Sequence, residues 1–137
     1  METVKEQIEQ IASGITLHWL NENRIAYFTI RTADRFSWSA WAKKMMDLKR
    51  EWSIDRPFLT LHDSLYDGAA FTPTVRKHTT EVNNYRLELA QYTAIIMPKT
   101  PVAQFAQFFM RSHRVANRET QAFFTVGEGI DWLQSKL

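Results

Sequence analysis

Apolar residues recur along residues 37–52 at the spacing of one face of an α-helix. At successive intervals of three, four, three and four positions, the chain places Trp38, Trp41, Met45, Leu48 and Trp52. Two heptads are too few for a coiled coil, so we expect this helix to lie on a sheet with Trp41, Met45 and Leu48 buried. Ser37 is suited to cap its first turn.

Two runs rich in β-forming residues come before this helix, at residues 15–20 and 24–30. Asn21, Glu22 and Asn23 separate them, and asparagine tolerates the backbone conformations of tight turns. The pattern predicts a β-hairpin.

The N-terminal segment carries a weaker helical pattern. Val4, Ile8 and Ile11 lie at helical spacing, and Gly14 can end such a segment. A short helix within residues 1–14 is therefore expected.

Strand and helix signals alternate through the rest of the chain. Strands are predicted at residues 57–62, 92–97 and 120–125. A capping residue followed by proline marks helix starts at Thr72-Pro73 and Thr100-Pro101, and a capping box marks one at Thr125 and Glu128. Residues 1–137 are thus expected to form one α/β domain. Its sheet is small and mainly parallel, with about five strands, an N-terminal hairpin and helices packed on it.

The closing segment Phe123-Phe-Thr-Val-Gly-Glu-Gly-Ile-Asp-Trp-Leu133 joins an aromatic strand end, a capped turn and a helix. Together with the element order, this motif resembles the STAS superfamily, including its anti-sigma-factor antagonist branch, and the lipid-binding CRAL-TRIO-like proteins. The resemblance implies a STAS-like fold and a regulatory or ligand-sensing module without catalysis.

In the antagonist branch, a phosphorylated serine lies in an Asp-Ser-Ser-Gly motif that opens a helix. The corresponding opening here reads Ala70-Phe71-Thr72-Pro73, so the motif is absent. Thr72 can serve either as an ordinary N-cap or as a phosphate site on the first-turn amides.

Candidate binding residues follow the central strand, where ligands gather in open α/β sheets. They are His62, Asp63, Ser64, Tyr66 and Asp67. A hydrolytic triad is not expected, because neighbours on a strand point in opposite directions and the chain lacks the Gly-x-Ser-x-Gly elbow. A metal is not expected either, because no second histidine at helical spacing supports His62. No cofactor is indicated.

Positive charge is concentrated at residues 111–118, which include Arg111 and Arg114. These cations either complement a helix C-terminus or grip a phosphate or an acidic partner, with Arg76, Lys77 and His78 as a second patch. Nucleic-acid binding is not predicted, because the aromatic residues fall on inward faces and the net charge is only +2.

Composition indicates the cellular compartment. The chain has no cysteine, which favours a reducing, cytoplasmic compartment, and no segment reaches membrane-spanning length. Phe108 lies off the inner face set by Phe105 and Phe109, which indicates either an apolar groove or a homodimer contact.

The residues favour a non-enzymatic regulatory or protein-interaction module of STAS-like type, whose protein partner they do not identify. The alternative is a module that binds or senses a small apolar or acyl ligand between helices and sheet. An enzyme ranks third.

Overall fold

A computed structural model describes residues 8–32, 34–64, 73–101, 104 and 117–137. Within these ranges the strands are β1 (Glu9–Ala12), β2 (Ile15–Leu20), β3 (Ile25–Ile30), β4 (Phe58–Asp63), β5 (Gln91–Ile96) and β6 (Arg118–Phe123). The helices, in the same ranges, are α1 (Arg35–Glu51), α2 (Pro73–Asn83) and α3 (Val126–Gln134). None of these described helices has both the length and the apolar character needed to cross a membrane.

The strands form one sheet in chain order, from β1 at one edge to β6 at the other. β2 runs antiparallel to β1 and β3, whereas β3, β4, β5 and β6 are mutually parallel. The predicted α/β class and the mixed sheet with its N-terminal hairpin are confirmed. Over the described residues, the sheet has six strands rather than about five.

The additional strand is β1, which replaces the helix expected near the N-terminus over the described residues. Gly14 has a φ of 83°, and it turns the chain so that Glu9 pairs with Leu17 of β2. A Cβ at this glycine would also lie 2.9 Å from the Thr32 Cβ. The glycine therefore forms the turn of a second hairpin instead of ending a helix.

The predicted hairpin between β2 and β3 is confirmed. Its turn holds Asn21, Glu22 and Asn23 at φ values of 51°, 56° and 64°. Asparagine is among the residues that adopt this left-handed region most readily, which favours a turn at this point.

Helix α1 begins earlier than the sequence indicates. Asp34 is its N-cap and accepts a hydrogen bond from the Phe36 amide at 3.1 Å. Ser37 lies inside the helix and donates its hydroxyl to the Ser13 carbonyl instead of capping. Inward packing is confirmed for Trp41 and Met45, while Leu48 is half-buried against the same core.

The two faces of the sheet are covered by different helices. On one face, α1 and α2 pack over a core that includes Phe28, Phe58 and Val82. On the other face, α3 covers Leu59, Leu61 and Ile96. Strand alternation places adjacent residues of β4 in these two separate cores.

The predicted N-cap of the last helix is confirmed, because Thr125 accepts a hydrogen bond from the Glu128 amide at 3.2 Å. The Glu128 carboxylate accepts from the Thr125 hydroxyl at 2.9 Å. Of the predicted helix that follows Thr100, only Pro101 and Gln104 are described, and the Gln104 amide donates to the Thr100 carbonyl at 2.9 Å. The remainder of that prediction, with Phe105, Phe108 and Phe109, lies outside the described residues.

Candidate functional site

A cavity of about 390 Å³ lies between α1, α2 and the sheet. Among the described residues, its apolar lining comes from Ile30, Trp38, Trp41, Met45, Val75 and Ile95. Its polar lining, within the same ranges, comes from His62, Ser64, Arg76, Thr79, Thr80, Asn83, Thr93 and Thr120. An aromatic and aliphatic wall with a few polar groups is typical of sites for small organic molecules, as is this volume.

Strand register brings the polar side chains of the floor together. Thr60 of β4 pairs with Thr93 of β5, and Thr93 pairs with Thr120 of β6. Three threonines thus form a row across parallel strands on the cavity side, and the Thr60 hydroxyl donates to the Thr93 hydroxyl at 3.3 Å. Two strand positions beyond Thr60, His62 is on the same side.

His62 is held on two sides by aromatic rings. Its imidazole is stacked on Phe28, with ring centroids 5.1 Å apart and planes 5° from parallel. The Trp41 ring meets it edge-on, and the Trp41 indole N–H donates to His62 Nε2 at 3.1 Å. Because only 6% of His62 is exposed, these contacts leave it little freedom to reorient.

The charge and tautomer of His62 follow from these contacts. Burial lowers its pKa to about 4, so the ring is neutral near pH 7. Nε2 accepts a hydrogen bond and is therefore unprotonated, which puts the ring proton on Nδ1. His62 Nδ1 is buried and has no hydrogen-bond partner in the part of the chain that the structure describes. A side chain lining the cavity thus retains one unused donor.

Asp63 belongs to a different network, on the other face of β4. Its carboxylate accepts from the Tyr27 hydroxyl at 3.3 Å and lies 3.4 Å from the Arg31 guanidinium, which also donates to the Asp63 carbonyl. Burial, together with the neighbouring Asp63 charge, raises the pKa of Tyr27 to about 12.

Ser64 lies on the cavity side with His62, and its amide donates to the Ile96 carbonyl at 3.0 Å. The predicted site residues therefore divide: His62 and Ser64 line one cavity, and Asp63 faces the opposite core. Successive side chains of a strand face opposite sides of the sheet, which is why no catalytic triad was expected from His62, Asp63 and Ser64.

Two cations bind the last carbonyls of α2, close to the cavity residue Asn83. Lys49 is fully buried and donates to the Val82 carbonyl at 2.6 Å, and Arg118 donates to the Asn83 carbonyl at 2.7 Å. Burial, followed by the nearby Arg118 charge, lowers the pKa of Lys49 to about 8. These bonds fix the end of α2 and with it Asn83, which lines the cavity.

The suggested second basic patch is not a single surface. Arg76 lines the cavity, Lys77 is exposed, and His78 borders a separate groove with Glu81, whose carboxylate lies 3.7 Å from the His78 Nδ1. Arg118, at the end of the predicted basic stretch, belongs to β6.

Five of the predicted site residues lie outside the described residues, and their roles stay predictions. They are Tyr66, Asp67, Thr72, Arg111 and Arg114.

The other cavity residues were not predicted from the sequence. Chief among them are Trp41, which donates to His62, and the paired Thr93 and Thr120 on the floor of the cavity. The available signal was a polar residue at inward positions of otherwise apolar strands, as at Thr60 and Thr93. No local sequence pattern indicates the hydrogen bond from Trp41 to His62, because the two residues are 21 positions apart.

Within the described ranges, no cluster of three or more His, Cys, Asp or Glu side chains is arranged to hold a metal ion. No protein-family model, curated protein or solved structure matches the chain.

Proposed function

We propose that this protein is a ligand-binding module that holds a small, mainly apolar molecule between its helices and its sheet. The observation that carries the proposal is the 390 Å³ cavity with the buried, incompletely hydrogen-bonded His62 in its lining. At roughly 30 Å³ for each small group, as in liquid water, this volume suits a ligand of about a dozen non-hydrogen atoms.

The composition of the lining supports this choice of ligand. Trp38, Trp41 and Met45 of α1 supply a large apolar wall, and Arg76 is the charged side chain among the described lining residues. Aromatic walls gain free energy by excluding water from an apolar ligand, whereas a highly charged ligand needs more counter-charge than this lining supplies.

A regulatory role agrees with this proposal, because ligand occupancy between α1, α2 and the sheet is a means of sensing. The STAS-like resemblance stays a prediction. A protein-interaction role through the strand-to-helix loops also stays a prediction, because most residues of the loop after β4 lie outside the described ranges.

Intrinsic tryptophan fluorescence provides the test. Titration with methyl hexyl ketone should change the emission, because Trp38 and Trp41 line the cavity. The Trp132→Phe variant should keep the response, because Trp132 packs on the opposite face against Tyr92 and Phe123.

A blocking variant makes the site assignment specific. Thr79→Phe fills the cavity from α2 and should abolish binding, whereas Lys77→Phe adds the same ring at an exposed position of that helix and should bind normally. Binding that survives Thr79→Phe in a folded protein, or no binding by the wild type of either the ketone or an alkene of equal size, would refute the proposal.

A further inference from the structure

The surface beside α3 contains a corner formed by two aromatic rings. Tyr92 of β5 and Trp132 of α3 meet nearly at right angles, with ring centroids 6.1 Å apart and planes at 82° to each other. Both residues are half-buried, so part of each is open to solvent. They pack with the core beneath α3, whereas the cavity lies beneath α1 and α2. The corner is therefore separate from the cavity.

A cation of the chain itself occupies this corner. The Lys136 ammonium lies 5.0 Å from the centre of the Tyr92 ring and 5.5 Å from the centre of the Trp132 ring. The negative face of an aromatic ring attracts a cation within about 6 Å. Elsewhere in the described part of the chain, Arg35 and Arg56 each lie over one ring only. Among the described residues, two rings thus share a cation only at this corner.

The partners of the Lys136 ammonium do not match its hydrogen-bonding needs. It forms no hydrogen bond or ion pair with any residue that the structure describes, and its contacts there are the two rings. A primary ammonium has three N–H donors, and ring faces offer no strong acceptor for them. A quaternary ammonium has the same charge and no N–H donor, and its methyl groups can pack on the rings. The corner therefore suits a quaternary ammonium better than it suits lysine.

An acidic side chain lies on the same face of the sheet. Glu119 of β6 is paired with Tyr92 of β5, and paired residues of neighbouring strands place their side chains on one face. The Glu119 carboxylate accepts a hydrogen bond from the Gln121 side chain, which comes next on that face. A carboxylate on this face attracts a cationic ligand and repels an anionic one.

We infer that the corner of Tyr92 and Trp132 binds a small quaternary ammonium compound such as choline, and that Lys136 occupies the corner when this ligand is absent. The inference goes beyond the proposed function, because it concerns the opposite face of the sheet. Lysine has a flexible four-carbon stem, so rotation of the Lys136 side chain is enough to vacate the rings. The ligand thus competes with a cation that is tethered to the protein.

Choline and its neutral analogue, the alcohol in which a carbon atom replaces the nitrogen, test the role of charge. The two molecules have nearly the same shape. In the Lys136→Met variant, which removes the competing ammonium, choline should bind about tenfold more tightly than the alcohol, the size expected for one cation shared by two rings. The Trp132 indole N–H signal reports binding in nitrogen–proton NMR spectra recorded at constant ionic strength.

Two further probes define the ligand class. Protonated ethanolamine should bind more weakly than choline, because its N–H groups lose water without gaining acceptors. Phosphocholine, which carries the charges of a lipid headgroup, should also bind more weakly than choline, because its phosphate meets the Glu119 carboxylate on the same face.

Three variants assign the site. Because Lys136 competes for the rings, choline should bind severalfold more weakly to the wild type than to Lys136→Met. Arg56→Met removes a cation that lies over the single ring of Trp52 on the α1 face, and it should leave choline binding unchanged. Tyr92→Leu removes one ring of the corner and should reduce the preference for choline over the alcohol.

Equal binding of choline and the alcohol by Lys136→Met, or no binding of either, would overturn the inference. Ethanolamine or phosphocholine binding more tightly than choline would overturn the ligand class. Signal changes at Trp38 or Trp41 in place of Trp132 would assign choline to the cavity. The comparison within Lys136→Met decides the matter even if Tyr92→Leu does not fold. Because the ketone titration reports on the cavity and choline on the corner, either proposal can fail while the other holds.

Discussion

His62 combines two properties in one buried side chain. Its ring packs like an aromatic core residue against Phe28, yet it carries two nitrogens, and Trp41 satisfies one of them. A buried donor without a partner costs of the order of 1–3 kcal/mol, and phenylalanine at this position would leave the Trp41 indole N–H without its acceptor. The imidazole thus serves Trp41 with one nitrogen, and the other has no partner among the described residues.

The same burial predicts how stability responds to acid. The pKa of His62 is about 4 in the folded chain and 6.5 for the unperturbed group, so between these values the unfolded chain binds the additional proton. The contribution of neutral His62 to the free energy of unfolding is therefore fully present above pH 6.5 and is lost as the pH drops toward 4. The loss reaches about 3 kcal/mol, since each pKa unit corresponds to 1.36 kcal/mol.

The measurement is urea unfolding of the wild type and of His62→Gln at several pH values between 4 and 7. Carboxylates titrate in both proteins, so the difference between the two curves isolates His62. Parallel curves would contradict the assignment of a neutral, buried imidazole.

At the scale of elements, α3 approaches the sheet unusually closely because it presents a glycine to it. A Cβ at Gly129 would lie 2.8 Å from the Ile96 Cδ1 and 3.2 Å from the Leu61 Cδ1. Two residues earlier, a Cβ at Gly127 would meet nothing within 4 Å. Helix α3 thus contains one glycine, Gly129, that packs closely against the sheet and another, Gly127, that has no close neighbour and can serve as its control.

These two glycines predict opposite effects of the same substitution. Gly129→Ala should lower the free energy of unfolding by about 1–3 kcal/mol, because α3 must shift or the core side chains must leave their rotamers. Gly127→Ala should be neutral or stabilise by up to about 1 kcal/mol, because alanine favours the helix. Chemical denaturation of both variants gives the comparison, and equal effects would show that α3 does not pack as described.

The elements that the sequence predicts correctly are those with a local cause. The hairpin turn depends on Asn21 and Asn23, and the start of α3 depends on Thr125, which caps it three residues before Glu128. Helix α1 is capped by Asp34 rather than Ser37, because the Asp34 carboxylate accepts a hydrogen bond from the Phe36 amide in the first turn. The prediction of a helix near β1 is wrong although apolar residues there lie at helical spacing. The turn at Gly14 brings this segment alongside β2, where it forms a strand.

The cavity belongs to the scale of the whole molecule, and the sequence contains only fragments of it. Strand alternation is enough to separate His62, which lines the cavity, from Asp63, which bonds to Tyr27 on the other face. The row from Thr60 to Thr120 depends on register between strands about 30 residues apart along the chain. No local pattern encodes that register, so the floor of the site could not be predicted.

The two helical layers share one sheet, and the whole molecule should therefore unfold as one unit. Adjacent residues of β4 alternate between the cores, as Phe58 and Leu59 do, so the strand cannot lose one core and keep the other intact. A substitution that destabilises the core beneath α3 should consequently lower the stability of the cavity side by the same amount.

Tryptophan positions make this prediction measurable. Of the five tryptophans, Trp132 lies on the α3 face, and Trp19, Trp38, Trp41 and Trp52 lie on the α1 face. In a Trp132→Phe background, fluorescence therefore reports the cavity side only, while circular dichroism reports all helices and strands. Adding Gly129→Ala should lower both unfolding midpoints by the same amount, because the defect on one face destabilises the strands that both cores need. A fluorescence midpoint that stays fixed while the circular dichroism midpoint falls would show instead that the α3 layer detaches by itself and that the cavity side is an independent folding unit.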